Sequence, residues 1–269
     1  MGEVDLGDVN TEVQNEGAKS KSKTRSFSLG GDDINFCLLQ KAGAEFLGTM
    51  FLIIFCVGSA NHRALVALES ASPAYYLSIS LAFGLGIGGI IHILSGTSGG
   101  HVNPAVSFAL FLDRRISLIV AIVYIIAQFA GGFAGAGLLY ALGNFDYIAG
   151  DIAGVNAVGV GINSAQAFFL EMFGTMFLIL TILSTINEQK GHAASYLQPL
   201  SIGIAILVMH IFLIPFTNCG INPVRGSVWN IITGQASSEI LIFLFAPLVG
   251  SIISVLVHNI FFVSSKDLK

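Results

Sequence analysis

Charge is what this sequence has least of. Its 269 residues include 12 Lys and Arg and 16 Asp and Glu, 10% in all, where an ordinary soluble domain carries roughly a quarter. With 54% hydrophobic residues and a mean hydropathy of +0.80, that scarcity excludes a soluble globular fold. The net charge is −4, and without a basic stripe nothing neutralises a phosphate backbone, so nucleic acid is not an expected partner. The 3 cysteines, Cys37, Cys56 and Cys219, are an odd number without metal-ligand spacing. Neither a disulfide scaffold nor a metal or cofactor site is expected from them. The polar N-terminus lacks the apolar stretch and cleavage site of a secretory leader.

The charges that are present are bunched. None lies between Glu69 and Asp113, between Arg115 and Asp146, between Lys190 and Arg225, or between Glu239 and Lys266. Each gap has room for a span of about 20 residues, enough to cross a hydrocarbon core of roughly 30 Å. Six apolar segments, at 42–60, 75–95, 117–141, 166–186, 197–214 and 237–263, predict six transmembrane helices. Glycines such as Gly84, Gly88, Gly131 and Gly135 let such helices approach closely. Residues 1–35 are polar and without hydrophobic period, which predicts a disordered tail. Lys19, Lys21, Lys23, Arg25, Lys41, Arg114, Arg115, Lys190, Lys266 and Lys269 fall on one side of the predicted spans and only Arg63 and Arg225 on the other. By the positive-inside rule both termini are expected in the cytoplasm.

The chain repeats itself. Ala44-Glu45-Phe46-Leu47-Gly48-Thr49-Met50-Phe51 is echoed by Leu170-Glu171-Met172-Phe173-Gly174-Thr175-Met176-Phe177. Each copy is followed by two further spans with an Asn-Pro segment between them: Gly100-His101-Val102-Asn103-Pro104-Ala105 and Gly220-Ile221-Asn222-Pro223-Val224-Arg225. Three spans per copy is an odd number, so the halves enter the membrane with opposite orientation. The predicted fold is an all-α membrane protein with six transmembrane helices and two re-entrant half-helices in an inverted 3+3 repeat. Its expected parts are a cytoplasmic tail at 1–35, repeats at 36–141 and 166–263, an extracellular loop at 142–165, and a cytoplasmic end at 264–269.

Asn is a favoured cap and Pro suits the first helical turn. Helices are therefore predicted over 103–112 and 222–233, too short to span. The non-helical stretches before them are tolerated at membrane depth only if buried or wet, which implies a pore. With both half-helices aimed at the midplane, positive dipole ends on the order of half an elementary charge each face one point and repel cations.

These motifs resemble those of the aquaporins, of the major intrinsic protein family, from about residue 42 to 263. The resemblance implies one water pore per subunit, a homotetramer in a lipid bilayer, and no enzymatic activity. Asn103, Pro104, Ala105 and Asn222, Pro223, Val224 match the family's paired pore motifs, with Val224 where Ala is usual. Its constriction maps onto Phe83, His210, Cys219 and Arg225, and Cys219 becomes a candidate pore thiol. Helical spacing adds Ile87, Ile206, Leu52 and Leu178 as an apolar wall. Opposite them, the resemblance implies carbonyl acceptors at Gly99, Gly100, His101, Cys219, Gly220 and Ile221. Glu45 and Glu171 are implied to hold the irregular loops in shape. His210 and Gly226 favour water over glycerol, although Gly226 is not the Ser common in water channels and Phe243-Leu244 is intermediate.

The loop from Asn187 to Leu200 resembles the gating loop of plant plasma-membrane aquaporins, with His192 and Leu197 as candidate sensor and plug, the spacing between them one residue longer than usual. Ser26 and Ser28, after Arg25, resemble a kinase site. Ser95, Ser98 and Ser107 lack a partner acid in the sequence, so no nucleophile with its base is expected. A pore for glycerol, ammonia or peroxide, a secondary transporter, and an adhesion protein with a shut pore remain alternatives. The transporter reading lacks a coupling-ion site and the adhesion reading an extracellular domain.

Overall fold

The computed structural model describes residues 36–60, 72–142, 153–186 and 196–263. Ser26, Ser28 and His192, and with them the kinase-site and sensor expectations, lie outside the described residues. Helix α1, Phe36–Phe51, continues through a π-helical turn, Leu52–Val57, to Ala60. The other five long helices are α2 (Pro73–Leu94), α4 (Leu118–Leu142), α5 (Ser164–Thr185), α6 (Gln198–Thr217) and α8 (Ile240–Phe261). Between α2 and α4 lies the half-helix α3, Pro104–Leu112, and between α6 and α8 its counterpart α7, Pro223–Ile232. Six helices are thus long and apolar enough to cross a membrane, and no strand occurs among the described residues.

Local chemistry sets the ends. Ser72 accepts from the Tyr75 amide ahead of Pro73, and Asn163 and Gln166 form a capping box at the start of α5; each satisfies amides that have no partner inside the helix. Two boundaries differ from the sequence reading. The first span starts at Phe36 rather than near 42, and α6 runs through Pro215 to Thr217 rather than stopping at 214. A proline so near a helix end removes one hydrogen bond, and Asn218, left-handed at φ 58°, closes the turn by donating from its amide to the Ile214 carbonyl.

Packing depends on close backbone approach. A Cβ at Gly84 would lie 2.7 Å from the Gly203 carbonyl, where α2 meets α6. One at Gly131 would collide with the Phe46 carbonyl (α4 on α1), and one at Gly250 with the Met172 carbonyl (α8 on α5). Outside this frame, Phe55, Leu85, Ile93, Ile126, Phe173 and Phe245 are exposed, an apolar girdle that lipid covers. The half-helices lie within, their N-termini facing each other across the centre.

Candidate functional site

The site is built from two loops that would be costly alone. The loop before α3 has Gly99 at φ 90°, Gly100 at 65° and Val102 at 42°; the loop before α7 has Asn218 at 58°, Cys219 at 54° and Ile221 at 44°. A left-handed β-branched residue is strained by about 1–3 kcal/mol and persists only when its surroundings fix it. The two fully buried glutamates do so. Glu45 accepts from Ser98 Oγ at 2.6 Å, the His101 amide at 2.9 Å, the Val102 amide at 2.7 Å and Gln128 Nε2 at 2.8 Å. Glu171 accepts from Thr217 Oγ1 at 2.5 Å, the Gly220 amide at 2.8 Å and the Ile221 amide at 2.6 Å. The expectation that Ser98 has no partner acid is therefore wrong. Its acid lies 53 positions away in the chain, joined only by folding, and that carboxylate is occupied by three further donors, so the pair is no nucleophile with its base.

Each asparagine works in two directions. Asn103 Oδ1 accepts from the Ala105 amide at 2.9 Å, and Asn222 Oδ1 from the Val224 amide at 3.0 Å, capping their own helices. Their amide nitrogens cross over: Asn103 Nδ2 donates to the Ile221 carbonyl at 3.0 Å and Asn222 Nδ2 to the Val102 carbonyl at 2.9 Å. An amide nitrogen carries two hydrogens, so each keeps one for the space beside it. Pro104, Ala105, Pro223 and Val224 are buried behind and do not line that space.

That space is a cavity of about 220 Å³. Phe83, Ile87 and Ile91 of α2, with Ser95 just past its end, line it together with Gln198, Ile202, Ile206 and His210 of α6, both sets at steps of one helical turn. Leu178 and Ile182 of α5, Ile186 just past its end, Leu52 of the π-turn, and Val106 and Leu110 of α3 add to the apolar side. Gly99, Gly100, His101, Gly220 and Ile221 line it too, with Asn103 and Asn222. At the end near Ile186, Arg115 pairs with Asp113 at 2.7 Å and donates to the Ile186 carbonyl at 3.1 Å, tying α3 to α5.

Aromatic and cationic groups bound the other end. The Phe83 and His210 rings stack 4.0 Å apart, and the Arg225 guanidinium carbon lies 5.2 Å from the Phe83 centroid. His210 Nδ1 faces the Ile206 carbonyl at 2.9 Å. A carbonyl only accepts, so Nδ1 carries the hydrogen, while Nε2 has no partner. Arg225 donates from Nη1 to Asn156 Oδ1 and to the Gly154 carbonyl (2.8 Å), and from Nη2 to the Asn218 carbonyl at 3.1 Å; its Nε has no partner. Cys219, grouped with these residues by resemblance, is fully buried and not among the residues lining the cavity. Leu197 is exposed and does not line it either.

Sequence reasoning missed Gln128, Thr217, Gly154 and Asn156. Gln128 carried a signal, a polar residue inside a long apolar span. Asn156 carried none, because its partners lie 61 to 74 positions away.

A sequence profile of the family described as major intrinsic protein matches residues 34–258. Aquaporin-2 of Rattus norvegicus is 37% identical over 227 residues, covering 84% of this chain and 80% of that protein. A PIP-type aquaporin of Atriplex canescens is 35% identical over 227 residues, 82% and 79% of the two chains. The solved structure of the aquaglyceroporin from Plasmodium falciparum superposes with a TM-score of 0.73 at 24% identity, over 86% of this chain and 100% of that one.

Proposed function

The chain belongs to the major intrinsic protein family, a family of passive channels rather than enzymes, and from that premise we propose that it is a transmembrane channel selective for water. It is a multi-pass membrane protein with six spans. The observation that carries water selectivity is the constriction of Phe83, His210 and Arg225 above the paired asparagines. A ring pair 4.0 Å apart beside a fixed guanidinium leaves little width, and His210 Nε2 and Arg225 Nε, both without a protein partner, are the constriction's uncommitted acceptor and donor. Selectivity of this kind comes down to width and lining donors and acceptors.

Below the constriction, water moves along an apolar wall with few hydrogen bonds to break, opposite the backbone of residues 99–101 and 220–221. At the centre, the free amide hydrogens of Asn103 and Asn222 hold a water oxygen as the two helix N-termini repel cations and protons. Val224 in place of Ala fits this scheme, because its Cγ1 fills the space over Gly132, which has no side chain. Gly226 fits too, since a Cβ there would sit 2.6 Å from the Cβ of Phe243 in α8.

The same reading includes a homotetramer, both termini in the cytoplasm, a tail at 1–35, and Leu197 as a movable plug at the inner mouth. Stopped-flow shrinkage of proteoliposomes tests the function. Fast water flux under a sucrose gradient with no glycerol flux is expected. Water flux no faster than in empty liposomes overturns the channel reading, and comparable glycerol flux overturns the water selectivity.

A further inference from the structure

We propose that Asn156, held by Asn230, fixes the orientation of the Arg225 guanidinium and so sets the largest solute that the constriction admits; this rests on the channel reading above. Asn156 lies between α4 and α5, outside both half-helices, and is 2% exposed. Its side-chain oxygen accepts from Arg225 Nη1, and its side-chain nitrogen donates to the Thr217 carbonyl at 2.9 Å. The amide is locked in one sense, because a flip sets its hydrogens against the guanidinium and its oxygen against a carbonyl.

The backbone of Asn156 is clasped from both sides. Its amide donates to Asn230 Oδ1 at 3.1 Å, and Asn230 Nδ2 donates back to its carbonyl at 2.7 Å. Asn230 is itself buried and belongs to α7, the half-helix that carries Arg225. The arginine and the segment that holds it are thus referenced to one rigid element. The neighbouring Gly154 carbonyl also takes Nη1, and Asn218, whose carbonyl takes Nη2, is tied to the same segment through the Val155 carbonyl at 2.8 Å.

Three of the five guanidinium N–H donors are thus held by this segment and Asn218, and Nε is left without a partner beside the cavity that Arg225 lines. Removing the Asn156 acceptor leaves Nη1 with the Gly154 carbonyl alone and lets the planar group pivot away from Phe83. The opening beside the ring then widens. Asn156 is a positioning residue in this account; water and solute meet Arg225.

The test is the ratio of glycerol to water permeability in proteoliposomes for the full-length chain, Asn156→Ala, Asn156→Asp and Asn230→Ala. Asn156→Ala spares the clasp, which uses only backbone at that position, and Asn230→Ala spares the amide, so the two remove different links of one support. Both are expected to raise the ratio by roughly tenfold, about what one charge-assisted hydrogen bond contributes to a barrier. Asn156→Asp keeps an oxygen acceptor for Arg225 while giving up the donor to the Thr217 carbonyl, and is expected to raise the ratio less than Asn156→Ala, by no more than about threefold. A ratio in Asn156→Ala equal to the parent's overturns the proposal while leaving the channel reading intact. Should Asn156→Ala fail to fold, an unchanged ratio in Asn230→Ala overturns it equally. Parent liposomes that shrink no faster than empty ones overturn both readings together.

Discussion

Glu45 and His210 illustrate how differently single buried residues work in this fold. Glu45 gathers four donors, three from a loop and one from α4, and its value is structural. Glu45→Gln replaces one acceptor oxygen with a donor, and each amide or hydroxyl left unsatisfied costs roughly 1–3 kcal/mol. A lower unfolding temperature in detergent is the expected outcome, read by circular dichroism; an unchanged one would mean the left-handed loop holds itself. His210 is the opposite case, with one ring nitrogen anchored and the other unpartnered. His210→Ala removes half of the ring stack and is expected to raise glycerol permeability on the order of tenfold, since one methylene of room in a tight site already discriminates by that factor. A glycerol gradient applied to variant and parent liposomes measures it.

The half-helices show what element-scale packing adds. Ala105 is the second residue of α3, and Ser251 of α8 donates to its carbonyl at 2.8 Å. Val224 is the second residue of α7, and Gly132 of α4 lies under its Cγ1. Where one half places a small residue and a hydroxyl, the other places a larger residue over a bare backbone. Gly132→Ala is therefore expected to destabilise by roughly 1–3 kcal/mol through overpacking, and adding Val224→Ala should recover most of that loss in a double-mutant cycle of thermal stabilities. Additive effects would show that the two positions do not share the space. The half-helices themselves were legible from Asn103-Pro104 and Asn222-Pro223, because a cap followed by proline is local chemistry. The apolar wall was legible in part: Ile87 and Ile206 follow from one step of four, whereas Ile91 and Ile202, one step further along the same helices, line the cavity without having been singled out in the sequence. What held the constriction was not legible. Asn156 meets Arg225, Asn230 meets Asn156 and Thr217 meets Glu171 only through contacts across 46 to 74 positions, and no periodicity encodes such pairings.

At the scale of the whole molecule, six spans and a basic N-terminal side make a topological statement. Cys37 is exposed at the start of α1, whereas Cys56 and Cys219 are buried. A membrane-impermeant maleimide is expected to label Cys37 alone, and only in vesicles whose cytoplasmic face is outward; labelling from the other face would reverse the orientation. The crossed asparagine amides carry a further consequence, for biosynthesis. They join residues 118 and 120 positions apart, so neither Asn-Pro loop meets its counterpart until the ribosome has delivered both. The chain is built like an intramolecular dimer, and its seam can close only after the second loop has been made. Three-span fragments inserted separately would each remain an unsealed half, and conduction would arise only when the two are co-expressed and find each other in the bilayer.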